Sequence, residues 1–226
     1  MPSPKDSGTY GQSHYAGDAY NSASRFFSYG HQLRELWMLH PRNILEVGVG
    51  SGVISSVLRN SPVELTTLDF DPELKPDVVA SVDDIPLPSE TFDVVMCCEV
   101  LEHLPFEKFD RALRELHRVS RSHVMITLPQ CTPVARLCVP VFSALGRKLV
   151  IPLPSLRARR KPQCDEHFWE IGLKGYPLKR IVSAIEAAGF SVIKTRRIWE
   201  NPYHRMFVLR KKSLADRSGL DAKEQG

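Results

Sequence analysis

The spacing of apolar residues changes character near residue 41. From about residue 24 to 39, apolar side chains recur at helix-like intervals, which predicts a helix that ends before Pro41. Beyond it, short apolar runs alternate with amphipathic stretches. The apolar runs predict strands at 43–47, 64–68, 77–82, 92–98, 123–128, 191–199 and 205–209, of which the third is the weakest. The amphipathic stretches predict helices at 52–59, 106–119 and 178–188.

This alternation predicts an α/β fold with a parallel, doubly wound sheet and right-handed crossovers. We divide the chain into an N-terminal arm and helix (1–40), a main domain (41–212) and a polar tail (213–226) that we expect to be disordered. Between residues 129 and 176 the alternation stops, and prolines with a basic run predict an irregular insert on the substrate side.

Composition and charge narrow the class of protein. With 42% apolar and 25% charged residues, the 226-residue chain has the composition of a globular protein, and its net charge of +4 is too small to indicate a nucleic-acid partner. We expect no secretory signal and no transmembrane segment, since the sequence has neither pattern. The five cysteines lack C-x-x-C spacing, which favours a reduced, cytoplasmic protein without structural zinc.

A glycine-rich turn, ILEVGVGSG at 44–52, follows the first predicted strand. Gly48, Gly50 and Gly52 let the backbone approach a ligand at the edge of the sheet where open α/β folds bind nucleotides. Val53 occupies the position of the third glycine in the dinucleotide-binding pattern, which argues against NAD or FAD. Glu46 precedes the turn, and a carboxylate in a buried strand needs a partner such as a cationic ligand group.

Two acidic residues follow the second predicted strand. Asp69 is placed to accept hydrogen bonds from the two ribose hydroxyls of an adenosine ligand. Asp71 is the competing residue, but it precedes Pro72 and fits turn chemistry better. The loop after the third strand offers a backbone amide near Val82 for the edge of an adenine, or is a solvated acidic loop.

The segment CEVLEH at 98–103 follows the fourth predicted strand on the same edge of the sheet. His103 there is a candidate general base. Alternatively, Glu99, Glu102 and His103 offer ligands to a divalent metal. A purely structural role for the histidine is the third alternative. We assign no metal site from the sequence.

Together these motifs resemble the class I S-adenosylmethionine-dependent methyltransferases of the methyltransferase type 11 group, similar to the ubiquinone- and menaquinone-biosynthesis methylases. The resemblance runs from about residue 43 to 129. It implies a Rossmann-like, seven-stranded sheet whose last strand is antiparallel, and S-adenosyl-L-methionine as the cofactor. It also implies cofactor contacts by Glu46, Gly48, Gly50, Gly52, Asp69, Phe70, Val82, Cys98 and Glu99.

The sequence departs from that pattern in two places. Ser81 stands where the group often has Asp, and the prolines after Asp69 predict a loop where a helix is usual. For the methyl acceptor, which we expect to be a small molecule methylated at O, N or C, His103 and His167 are the candidate bases. His167 lies in the acidic and aromatic patch DEHFWE, at 165–170, whose alternative interpretation is a loop anchored by Trp169.

The apolar segment 133–154 and the N-terminal arm carry further expectations. The segment fits a lid, a surface-binding helix pair for a membrane or lipid-like substrate, or a solvated insert. Near the N-terminus, Tyr20 and Arg25 are placed to close over the cofactor's carboxylate. Two alternative functions remain at this point: a non-catalytic binding or scaffold protein with this fold, and a nicotinamide-dependent oxidoreductase.

Overall fold

The computed structural model describes residues 15, 17, 20–139, 147–153 and 159–212, and the predicted tail lies outside them. Its helices are α1 (Ala23–Met38), α2 (Val53–Arg59), α3 (Phe109–Val119) and α4 (Leu178–Ala187). Its strands are β1 (Asn43–Val47), β2 (Glu64–Asp69), β3 (Val78–Val79), β4 (Phe92–Cys98), β5 (Ser120–Pro129), β6 (Val134–Val139), β7 (Arg147–Pro152), β8 (Phe190–Arg197) and β9 (His204–Lys211).

Seven strands form one sheet in the order β3-β2-β1-β4-β5-β9-β8. The first five strands in the chain pair in parallel, and β9 pairs antiparallel with both β5 and β8. The expected fold, a doubly wound sheet whose last strand is antiparallel, is therefore confirmed.

Helices cover both faces of the sheet, as the continuous apolar runs in β1 and β4 require. On one face, Ile44 of β1 and Val94 of β4 pack with residues of α1 and α2. On the other face, Leu45 and Val95 pack with residues of α3 and α4. Successive residues of β1 and β4 thus belong to two different cores. The carboxyl ends of these strands, where the glycine turn begins, lie at the edge of the sheet between the two layers of helices.

Two connections differ from a regular alternation of strands and helices. A single 3₁₀ turn, Pro72–Leu74, follows β2, as the prolines there predict. β3 has only two residues, Val78–Val79, where the sequence predicts a strand over 77–82. The predicted strand is too long because β3 lies at the edge of the sheet and pairs only with the last two residues of β2.

The insert contains a β-hairpin, so the helix pair, one of the three alternatives for segment 133–154, is wrong. β6 and β7 pair antiparallel in a separate two-stranded sheet, with Val134 opposite Pro152 and Val139 opposite Arg147. Runs of valine, leucine and isoleucine favour extended backbone, and a short hairpin accommodates them on either side of the segment that contains Pro140. Residues 140–146 and 154–158, which include Arg157, lie outside the described residues.

Candidate functional site

The glycine turn at the end of β1 adopts a conformation that side chains disfavour. Gly48, Gly50 and Gly52 have φ of 84°, 52° and 73°. A Cβ on Gly48 would collide with Cγ2 of Val100, the residue that follows the end of β4 by two. The turn therefore brings its backbone against the neighbouring strand end, and α2 begins directly after it at Val53.

Glu46 is buried in β1 just below this turn, with 5% of its surface exposed. Its only described hydrogen bond comes from the Ser55 hydroxyl, which donates to Oε2 at 2.6 Å. Burial raises the pKa of Glu46 to about 8, although the bond from Ser55 acts in the opposite direction. A cationic group of a ligand would stabilise the charged form of this carboxylate, as the sequence predicts.

Asp69 ends β2 and connects it to the glycine turn. Its carboxylate accepts hydrogen bonds from the backbone N–H of Val49 at 2.7 Å and of Asp71 at 3.0 Å. Burial raises the pKa of Asp69 in spite of these bonds. The Asp71 side chain instead accepts a hydrogen bond from the backbone N–H of Glu73 and caps the 3₁₀ turn, so its predicted turn role is confirmed.

A cleft opens over the glycine turn and is bounded by α1 and the ends of β1, β4 and β9. Its lining includes Tyr20, Arg25, Tyr29, Gln32, Glu46, Gly48, Gly50, Cys98, Glu99 and His204. The Arg25 guanidinium lies 3.9 Å from the centre of the Tyr20 ring. Because Glu46 and Arg25 line one cleft, it offers a carboxyl group and a guanidinium, which suit the two charged ends of an amino-acid zwitterion.

Four predicted cofactor residues lie outside the lining of this cleft: Gly52, Asp69, Phe70 and Val82. The Asp69 carboxylate accepts a hydrogen bond from Val49, which does belong to the lining. The Phe70 side chain is 43% exposed. Val82 is 3% exposed and packs in the core. Their predicted contacts with the cofactor remain predictions.

A second polar cluster lies beside the cleft, beyond Glu99. Glu99 has a positive φ of 55° and donates its backbone N–H to Thr127 at the end of β5. Its Oε2 is 3.4 Å from Nε2 of His204. Glu102, three residues on, has no exposed surface, and burial together with the neighbouring Glu99 carboxyl raises its pKa.

The structure brings the two predicted histidines together. The rings of His103 and His167 are perpendicular, with centroids 4.9 Å apart. Nδ1 of His167 lies 3.1 Å from Oε1 of Glu170, and Nε2 lies 3.9 Å from Oε1 of Glu102. Burial lowers the pKa of His167, but hydrogen bonds to Cys164 and Glu170 and the charge of Glu102 outweigh it and raise the pKa to about 10.

Three further residues join this cluster without having been singled out as site residues. Glu170 is fully buried and accepts a hydrogen bond from the Tyr203 hydroxyl at 2.6 Å. The sequence does contain a signal for Glu170, because it follows His167 by three residues in the acidic and aromatic patch. Tyr203 and His204 arrive from the start of β9, and no local motif marks them.

The alternative interpretation of the acidic and aromatic patch, a loop anchored by Trp169, describes part of it. Trp169 is fully buried and packs against Phe106, Phe109 and Tyr176. Its indole N–H donates to the Leu104 carbonyl at 3.2 Å. The anchor therefore fixes the insert next to the segment after β4, and with it the position of His167.

Residues 45–127, which span β1 to most of β5, match the family model described as a methyltransferase domain. This segment is similar to a methyltransferase domain. The fold of the described residues is that of S-adenosylmethionine-dependent methyltransferases of known structure. The matched segment contains the glycine turn, Asp69 and the CEVLEH motif, whereas His167 lies beyond it.

Solved structures share the fold of this chain at low identity. The 1,6-didemethyltoxoflavin-N1-methyltransferase of Burkholderia thailandensis, solved with 1,6-didemethyltoxoflavin and S-adenosylhomocysteine, is 16% identical, with a TM-score of 0.54 over 93% of this chain and 94% of that chain. The CcbJ methyltransferase of Streptomyces caelestis is 14% identical, with a TM-score of 0.60 over 92% and 100%. A SAM-dependent methyltransferase of Aquifex aeolicus is 14% identical, with a TM-score of 0.56 over 88% and 98%.

A search of curated proteins found no significant match to the sequence. Within the described residues, every helix is too short or too polar to cross a membrane.

Proposed function

We propose that this chain binds S-adenosyl-L-methionine in the cleft over the glycine turn and transfers its methyl group to a small-molecule acceptor. The observation that carries this proposal is that Glu46 and Arg25 line the same cleft. Glu46 suits the donor's ammonium group, and the Arg25 guanidinium suits its carboxylate. The family of residues 45–127 supports the same donor.

The adenosine half of the donor lies, in this proposal, along the edge of the sheet from the glycine turn towards β2. Asp69 accepts hydrogen bonds from the ribose hydroxyls, Phe70 flanks the adenine, and a backbone amide near Val82 contacts its edge. The exposed ring of Phe70 supports this direction. Cys98 and Glu99 line the methionine side, and both belong to the cleft.

The acceptor lies on the side of Glu99, where His103 and His167 face each other. Methyl transfer is an in-line displacement, so the domain must mainly align the acceptor with the methyl group. The two imidazoles act on the acceptor there, either by accepting its proton or by binding an ion that lowers the pKa of the acceptor group so that its proton is lost to solvent. The bound small heterocycle in the Burkholderia enzyme supports an acceptor of that size.

Two experiments test the proposal. Calorimetry should show binding of S-adenosylhomocysteine but not of NAD, because the glycine spacing disfavours a dinucleotide; binding of NAD alone would instead support an oxidoreductase. Transfer of a labelled methyl group over a metabolite panel then separates an enzyme from a non-catalytic binding protein. In the assay, His103→Ala should lower turnover more than donor affinity, and unchanged turnover would leave His103 a structural residue.

A further inference from the structure

The Glu102 carboxylate is buried without a compensating donor. It is fully enclosed, and within the described part of the chain no hydrogen-bond donor of good geometry reaches either oxygen. The Glu99 carboxyl lies beside it, and Nε2 of His167 is 3.9 Å from its Oε1. One oxygen of Glu99 is likewise buried without such a bond. Enclosing carboxylates in this way costs free energy unless a positive charge accompanies them.

Two imidazoles share the space that this carboxylate faces. One potential ligand atom from each of Glu102, His103 and His167 lies within 4.8 Å of the other two. Atoms that bind a common ion at about 2.1 Å are about 3–4 Å apart. Small rotations of three side chains would therefore bring them into a coordination shell.

Glu170 orients His167 for such a role. Its Oε1 lies 3.1 Å from Nδ1 of His167, so Nδ1 donates its proton to Glu170 and Nε2 faces Glu102. A carboxylate that holds the remote nitrogen of an imidazole fixes the tautomer of metal-binding histidines. Glu170 is in turn held by the Tyr203 hydroxyl and the backbone N–H of Gln163.

We infer that Glu102, His103 and His167 bind a divalent first-row transition-metal ion, with the Glu99 carboxylate as a fourth donor. Oxygen and nitrogen donors in equal number suit Mn²⁺, Fe²⁺, Co²⁺ or Zn²⁺ better than an all-oxygen ion such as Ca²⁺. The ligands come from two segments, the one after β4 and the insert. A hydrogen bond joins the two segments, from the Phe168 N–H to the Glu102 carbonyl at 2.9 Å.

The position of the ion gives it a role in the reaction, and this step rests on the proposed function. Glu99 lines the cleft over the glycine turn, and its carboxyl also acts on Glu102, with Oε1 buried and without a hydrogen bond. An ion there stands beside the methyl group, where it binds an acceptor oxygen and lowers the pKa of its hydroxyl. His103 and His167 then serve as ligands, and the acceptor is an oxygen compound.

Without an ion, a proton on His167 supplies the positive charge between Glu102 and Glu170. This protonated arrangement is the competing explanation for the cluster, and it requires no metal at all.

The test uses the full chain after chelation and dialysis, titrated with Mn²⁺ and followed by electron paramagnetic resonance of the free ion. The wild type should bind one equivalent of Mn²⁺. Glu102→Gln and His167→Ala should weaken binding more than about 100-fold, and Glu170→Gln about tenfold. His123→Gln is the matched control, since His123 is a half-buried histidine of β5 bonded to Ser122, and it should bind like the wild type.

Circular dichroism shows whether each variant folds. If His167→Ala does not fold, Glu102→Gln, which keeps the shape of the side chain, tests the metal site on its own. Wild-type protein that leaves both Mn²⁺ and Co²⁺ free, or a Glu102→Gln variant that binds like the wild type, would overturn the inference. Affinity for S-adenosylhomocysteine is measured on the same samples. Donor binding without metal binding contradicts the metal site alone, and metal binding without donor binding contradicts the proposed function alone.

Discussion

The carboxylate of Asp69 accepts a hydrogen bond from the backbone N–H of Val49 at 2.7 Å. The end of β2 and the glycine turn are thus joined before any ligand binds. An acid at this position has two roles in our proposal, since it holds the turn in place and also receives the ribose.

Asp69→Ala should weaken the affinity for S-adenosylhomocysteine at least about tenfold, the loss expected for one hydrogen bond to a charged acceptor. Calorimetry measures the affinity, and chemical denaturation measures the accompanying loss of stability. Asp71→Ala is the matched control, because Asp71 caps the neighbouring turn and lies outside the cleft. Equal affinities in Asp69→Ala and the wild type would remove the ribose assignment.

Glu46 should make the ligand-free protein less stable as the pH rises. Its pKa is about 8 in the folded chain against an ordinary value of 4.5. The folded state therefore binds this proton more tightly than the unfolded state. Full stability is present below about pH 4.5 and is lost as the pH rises to about 8, with a slope of at most about 1.4 kcal/mol per pH unit.

Denaturation of the wild type and Glu46→Gln at pH 5 and pH 8 measures this effect. The variant should lose less stability between the two values, because it has no proton to release. Glu64→Gln, which removes an exposed carboxylate at the start of β2, should behave like the wild type. The same difference for all three proteins would contradict the assignment of the pH dependence to Glu46.

Arg25 should recognise one end of the donor only. Arg25→Ala is expected to weaken S-adenosylhomocysteine binding by about tenfold or more, since a hydrogen bond to a charged group contributes about 1.5–3 kcal/mol. Binding of 5′-methylthioadenosine, which lacks the amino-acid carboxylate, should stay the same. Arg34→Ala, an exposed arginine on the same helix, is the control; equal losses for both ligands would place Arg25 elsewhere.

Gly48→Ala should destabilise the fold more than Gly52→Ala. Both residues have positive φ, which costs an alanine about 1–2 kcal/mol. Only at Gly48 does the added Cβ meet another side chain, that of Val100, whereas nothing lies within 4 Å at Gly52. Free energies of unfolding from urea titrations compare the two, and a smaller loss for Gly48→Ala would show that the strand ends can move apart.

Trp169 and Phe168 are neighbours with opposite expectations. Trp169→Ala should cost about 3–5 kcal/mol of stability, as for a large buried aromatic side chain. Phe168→Ala should cost much less, because 36% of that side chain is exposed. Urea denaturation measures both; comparable losses would mean that the insert is held by the whole patch and not by one anchor.

Much of the fold follows from local pattern. The predicted strands 43–47 and 92–98 coincide with β1 and β4, because a strand buried on both faces must be a continuous apolar run. The glycine spacing likewise places the turn correctly. Its three positive φ values are a property of glycine and of the sharp change from strand to helix.

The hairpin in the insert and the assembly of the second cluster could not be predicted in the same way. Apolar residues at 134–139 fit a helix or a strand, and only their pairing with 147–152 distinguishes the two. Two contacts bring His167 to His103: the Phe168 N–H donates to the Glu102 carbonyl, and the buried Trp169 donates to the Leu104 carbonyl. Each contact joins residues that are more than sixty positions apart in the sequence. Neither contact leaves a periodic signal.

The antiparallel strand β9 supplies adjacent residues to both halves of the site: His204 lines the donor cleft, while Tyr203 bonds to Glu170 in the second cluster. Both the cleft and the second cluster are therefore complete only when this segment, near residue 203, has been synthesised. A nascent chain that ends before residue 203 has its glycine turn but no complete pocket on either side, so synthesis and the ability to react are coupled in time.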